Sequence, residues 1–106
     1  MALSKRAGRF LGFTDYITVL TGETSTLAIP PLDSGHQISV TAIPGGNTAL
    51  VQHTTSPDAD VADDSALWQD WIYGSVTATT VGVVIAPITG LKFGATGGTC
   101  NFEVVL

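Results

Sequence analysis

The stretch Leu91-Lys92-Phe93-Gly94-Ala95-Thr96-Gly97-Gly98-Thr99-Cys100-Asn101-Phe102-Glu103-Val104-Val105 holds two runs of alternating side chains on either side of a glycine pair. Period-two alternation sends successive side chains to opposite faces of a strand, so Leu91, Phe93 and Ala95 share one face. Cys100, Phe102 and Val104 share another, with Asn101, Glu103 and Val105 opposite them. The Gly97-Gly98 pair accepts the positive φ angles of a two-residue turn and predicts a hairpin between the runs. Cys100 lies on the Phe-bearing face and reads as a buried small hydrophobe rather than a nucleophile, because neither histidine nor a thiolate-stabilising cation is near it in sequence.

The same pattern continues outward along the chain. Ile38, Val40 and Ala42 alternate with Gln37, Ser39 and Thr41, and the whole sequence is rich in β-branched residues, with fifteen Thr, ten Val and seven Ile. Turn signals recur at close spacing: Thr21-Gly22-Glu23, Pro30-Pro31, Asp33-Ser34-Gly35, Pro44-Gly45-Gly46-Asn47, Ser56-Pro57-Asp58, Tyr73-Gly74 and Pro87. Between them fit strands near 16–20, 24–29, 37–43, 48–54, 67–72, 76–80, 83–88, 91–96 and 99–105. A second hairpin is expected between 38–43 and 49–54, across Pro44-Gly45-Gly46-Asn47. With 106 residues and 44% hydrophobic content, the expected fold is all-β: one antiparallel β-sandwich of about seven to nine short strands over residues 15–106. An extended N-terminal arm, residues 1–14, precedes it, because basic residues there alternate with Ala, Gly and isolated apolar residues.

Charge is distributed unevenly. Lys5, Arg6 and Arg9 lie in the first ten residues, so residues 11–106 carry one cation, Lys92, against nine carboxylates, a formal −8. Nucleic-acid affinity comes chiefly from cations on phosphates, and a body this acidic is not expected to bind nucleic acid. The longest apolar run, Val81-Gly82-Val83-Val84-Ile85-Ala86, is far short of the roughly 20 residues a spanning helix needs, so no membrane partner is expected. A single cysteine excludes an intrachain disulfide, and no signal-peptide pattern follows the basic start, which fits folding in a cytoplasm.

Few residues suggest chemistry. Asp58, Asp60, Asp63 and Asp64 offer oxygen ligands to a hard cation, but the segment lacks the central Gly and terminal Glu of an EF-hand loop and reads as a solvated connection. His36 and His53 have Asp33 and Asp58 as potential acid–base partners, yet no nucleophile elbow, zinc spacing or phosphate loop accompanies them. No catalytic residue, metal or cofactor is therefore expected. The candidate partner-binding residues are Lys5, Arg6, Arg9, Phe10, Leu11 and Phe13 of the arm, with Trp68 and Trp71. The apolar arm residues are costly to leave in water and are expected to dock on a neighbouring subunit or on their own domain. In a strand Trp68 and Trp71 point to opposite sides, one toward the core and the other toward a surface or subunit contact. If exposed, Trp68, Trp71 or Tyr73 would instead form a sugar-stacking platform.

Two stretches carry a resemblance: His53-Thr54-Thr55-Ser56-Pro57-Asp58-Ala59-Asp60-Val61 running on to Trp68, Trp71 and Gly74, and Pro87-Ile88-Thr89-Gly90-Leu91-Lys92-Phe93-Gly94-Ala95-Thr96-Gly97-Gly98 running into Phe102-Glu103-Val104-Val105. In texture and segment order, over residues 36–106, the chain resembles small β-rich virion proteins of tailed bacteriophages. The resemblance implies a structural, non-enzymatic role on the particle as a capsid decoration, or cement, protein assembled in the bacterial cytoplasm. It implies the major capsid protein as partner and a homo-oligomer, dimer or trimer. A tail or fibre component and a carbohydrate-binding module are the alternatives.

Overall fold

The computed structural model describes residues 4–7, 14–57, 61 and 65–106, with side chains from Tyr16 onward. Among the described residues the alternating runs form nine strands: β1 (Ser4–Ala7), β2 (Thr14–Thr21), β3 (Thr24–Ala28), β4 (Gln37–Ile43), β5 (Thr48–Thr54), β6 (Gln69–Asp70), β7 (Thr80–Ile85), β8 (Gly90–Thr96) and β9 (Thr99–Val105). They pair antiparallel in two sheets, one ordered β1-β2-β9-β4-β7 and the other β3-β8-β5-β6. The expected all-β sandwich is the observed architecture, and β4, β5 and β9 have the bounds expected from the sequence.

Both predicted hairpins are corrected. The turn Pro44-Gly45-Gly46-Asn47 links β4 in the five-stranded sheet to β5 in the four-stranded one, and Gly97-Gly98 likewise carries β8 across to β9. These links are arches over the core, not hairpins within a sheet. The two sheet orders run in step, so β2 and β3, β9 and β8, β4 and β5, and β7 and β6 are chain neighbours holding matching places in opposite sheets. Burial explains the preference. In an arch the Leu91/Phe93/Ala95 row and the Cys100/Phe102/Val104 row face each other and cover each other's apolar surface. Phe93 and Phe102 meet in this way, with ring centroids 5.2 Å apart and planes tilted by 40°.

Three arches stack at one end of the sandwich. Gly22, between β2 and β3, donates its N–H to Gly98 O at 3.3 Å, and Asn47 Nδ2 donates to Thr99 O at 3.1 Å. Gly22 (φ 60°) and Gly97 (φ 89°) sit in the left-handed region that these reversals need and that a side chain disfavours. Cys100, fully buried as expected, donates its thiol to Pro44 O at 3.6 Å and Thr48 O at 3.5 Å, tying the β4–β5 arch to β9. Burial pushes the thiol above its ordinary value, partly offset by a hydrogen bond from the Thr96 backbone.

Other boundaries differ from expectation. The strand placed at 67–72 contracts to β6, because Trp71 turns inward and its Nε1 donates to Gly74 O at 2.7 Å, closing a turn. The strand placed at 76–80 is a single bridge, Val76 to Ala49. The strand placed at 83–88 lies at Thr80–Ile85 instead; Ala86 and Pro87 fall in the connection, where proline's missing N–H does no harm to a ladder. Within the segment read as an arm, Ser4–Ala7 pair along β2 of the same chain, with Lys5 opposite Tyr16 and Arg6 opposite Asp15. Arg9, Phe10, Leu11 and Phe13 lie outside the described residues.

Candidate interaction surface

The inward rows of both sheets form one core from Leu20, Ile38, Val40, Val51, Leu91, Phe93, Phe102 and Val104. The outward rows differ between the sheets. On the five-stranded sheet, register places Arg6, Asp15, Val105, Ser39 and Val83 in one cross-strand row, and Ser4, Ile17, Glu103, Thr41 and Val81 in the next. Val19, Asn101 and Ile43 form a third row, and Gln37 and Ile85 a fourth. Seven of these positions are Val or Ile, and the charged residues among them, Arg6, Asp15 and Glu103, lie on β1, β2 and β9, away from β7.

The outward face of the four-stranded sheet is mixed. Thr26, Lys92, Gln52 and Asp70 form a polar row across it, with Gln52 Nε2 donating to Asp70 Oδ1 at 2.9 Å. Thr24, Gly94 and Leu50 form the row on one side, and Ala28, Gly90 and Thr54 the row on the other, where Val61 and Trp68 lie against Gly90. A solvated antiparallel sheet normally alternates apolar-in with polar-out, and the five-stranded sheet departs from that rule through exposed Ile43, Val81, Val83 and Ile85.

The aliphatic surface is most open at β7, where Val81, Val83 and Ile85 are 60%, 50% and 57% exposed. Beside β7, at the open side of the sandwich, lies a cleft of about 560 Å³. Its walls include Val83 and Ile85 from one sheet and His53, Gln69, Leu67 and Ile72 from the other side. Leu67 and Ile72 are 82% and 86% exposed. Isolated exposed hydrophobes are ordinary, whereas a contiguous group of this kind marks a contact surface.

Trp71 and Trp68 point to opposite sides, as the sequence predicts. Trp71 is buried in the core with Tyr73 packed edge-on, ring centroids 5.2 Å apart. Trp68 lies half-buried over the outer side of the four-stranded sheet, with Lys92 Nζ 5.7 Å from its ring centroid. A Cβ on Gly90 would stand 3.3 Å from Trp68 Cη2, so β8 itself lies against this ring.

His36 precedes β4 at the surface, and His53 sits on β5 opposite Gln69. Asp58, Asp60, Asp63 and Asp64 lie outside the described residues, and among the described residues no group of three His, Cys, Asp or Glu side chains gathers as a metal site. Among the described residues no helix is long and apolar enough to cross a membrane. The residues the sequence reading missed are Ile43, Val81, Val83, Ile85, Leu67 and Ile72. A signal existed for β7: Val81, Val83 and Ile85 make its second face apolar, although Val84 already supplies its core row.

No protein-family model and no curated protein matches the sequence. Among solved structures, the chain is similar to Peruvianin-I, a cysteine peptidase from Thevetia peruviana latex, at 12% identity and a TM-score of 0.47. The match covers 90% of this chain and 50% of that one, so the chain spans about half the length of that structure.

Proposed function

We propose that this protein is a non-enzymatic virion structural protein, a capsid decoration protein of a tailed phage that lays the outward face of its five-stranded sheet on the head lattice. The observation that carries this reading is the group of exposed aliphatic side chains, Ile43, Val81, Val83 and Ile85, on the outward face of the five-stranded sheet, on a chain whose segments resemble small phage virion proteins. Full burial of a Val or Ile side chain contributes about 1.5–3 kcal/mol, so covering the remaining exposed half of three such residues contributes about 2–4 kcal/mol. Repeated over a lattice, such contacts raise particle stability by mass action without any reaction. The four-stranded sheet, with the Thr26, Lys92, Gln52 and Asp70 row, then faces solvent.

Cosedimentation of the full chain with tailed-phage heads lacking their small accessory proteins tests this proposal. The expected result is saturable binding at a fixed ratio to the major capsid subunit, with weak dependence on salt because the contact is apolar. Ile43→Lys charges that face away from β7, opposite Asn101, and is expected to weaken binding at least about tenfold. Absence of saturable binding, or binding indifferent to Ile43→Lys, would overturn the proposal.

A further inference from the structure

The edge strands of a sheet expose unpaired N–H and C=O groups, and a protein that stays single guards them with charge, shortness or proline. Two of the four edges here are guarded by charge or shortness. β1 carries Lys5 and Arg6, and β6 has only two residues, one of them Asp70. β3 and β7 hold no charge or proline within the strand, and each is followed two residues later by a proline, Pro30 and Pro87. They differ in side chains: β3 opens on the hydroxyls of Thr24, Ser25 and Thr26, whereas β7, Thr80-Val81-Gly82-Val83-Val84-Ile85, presents exposed Val81, Val83 and Ile85 and among the described residues is paired with β4 alone. Among the described residues, no backbone hydrogen bond from a turn or loop reaches it.

We propose that β7 is the docking edge for a second copy of this chain, the two β7 strands pairing antiparallel about a two-fold axis centred on Val83. Such an axis, normal to the sheet, pairs residues of equal parity, so each outward side chain meets an outward one. Val83 then faces Val83 of the second copy, and Val81 faces Ile85. An uncharged apolar row meets itself.

Charge permits this edge to self-associate. Two chains of formal charge −5 repel each other, whereas β7 itself carries no charge. The symmetry also keeps both aliphatic faces on one side, giving a continuous ten-stranded sheet, and the exposed Leu67 and Ile72 of each copy flank the join. Six strand residues extend about 20 Å. Against the 25 Å shortest extent of the molecule, the seam projects to roughly 500 Å². That is the low end for a specific interface, so the dissociation constant is expected on the order of micromolar.

The dimer deepens the docking proposal without depending on it, and its test contains no capsid, so each can fail alone. Sedimentation equilibrium of the full chain from about 1 μM to about 1 mM is expected to show the mass rising to twice 10.9 kDa. Val83→Lys is expected to raise the dissociation constant at least about 100-fold with an unchanged circular dichroism spectrum. Thr24→Lys, the same charge change on β3, is expected to leave it unchanged. Under copper–phenanthroline, Val83→Cys is expected to form a covalent dimer readily and Val81→Cys poorly, because position 81 faces 85. A monomer throughout that range, a trimeric mass, or a Val83→Lys dimer as tight as the parent would overturn the proposal. Cross-linking of Val81→Cys as ready as that of Val83→Cys would overturn its register.

Discussion

Two threonines with almost the same burial should respond oppositely to the same substitution. Thr18 and Thr54 are 1% and 2% exposed. Thr54 Oγ1 donates to Leu67 O at 2.8 Å and accepts from Ser56 N at 3.1 Å, so it pins the connection after β5 to the sheet. Thr18 Oγ1 is buried between the sheets with no partner. Replacing Thr by Val conserves shape and removes only the hydroxyl. For Thr54→Val this deletes two hydrogen bonds and leaves two backbone groups seeking water, a cost of about 1–3 kcal/mol. For Thr18→Val it removes an unsatisfied group whose burial itself costs about 1–3 kcal/mol in mutational data, and puts a methyl against Phe102 and the core. A gain of about 1 kcal/mol is expected after imperfect packing of the methyl is allowed for. The two variants should therefore differ by about 2–4 kcal/mol, or roughly 8–16 °C in Tm at about 4 °C per kcal/mol for a domain of this size. Urea melts with matched m-values check the two-state assumption behind the comparison. A Thr18→Val variant that loses as much stability as Thr54→Val would refute the claim that partnering, not burial, sets the sign.

Other substitutions probe other contacts. Gly82→Ala would place its Cβ 2.8 Å from Tyr73 Cε2 and 3.1 Å from Trp71 Cζ3. Tyr73 is half-exposed and can swing aside, but Trp71 is held by its bond to Gly74, so a net loss of about 0.5–2 kcal/mol is expected in a urea melt. Trp68→Phe should cost at least about 1 kcal/mol less than Trp68→Ala, because Trp68 Nε1 is buried without a partner while the ring body packs on Gly90 and Lys92. Cys100 should resist a disulfide reagent in the native protein and react on denaturation. Its raised folded value also means that the unfolded chain deprotonates first. Its contribution to stability is thus intact below its ordinary value of 9.0 and declines as pH rises through the folded value, as melts across alkaline pH would show.

The parity of β4, β8 and β9 was legible in the sequence. Ile38, Val40 and Ala42, Leu91, Phe93 and Ala95, and Cys100, Phe102 and Val104 all face the core as period-two alternation predicts. The short elements were less legible, since β6 and the Val76 bridge depend on Trp71 turning inward to its Gly74 partner. The candidate surface was the least legible part. Aromatic density drew attention to Trp68 and Trp71, yet the open apolar surface is aliphatic and lies at β7 and on the outer rows of β2, β4 and β9.

Composition and alternation by themselves determined an all-β chain, the face that β4, β8 and β9 bury, and the buried place of Cys100. Tertiary structure decided which strands are neighbours. In a hairpin through Gly97-Gly98, Phe93 and Phe102 would share one face of one sheet; in the observed arch they oppose each other across the core. Parity is identical in both arrangements, so a local pattern does not separate them. In the arch each apolar row covers the row that follows it in the chain, across the two-sheet core. The same placement puts β7 at the rim of its sheet, where among the described residues no sixth strand lies beside Val81, Val83 and Ile85.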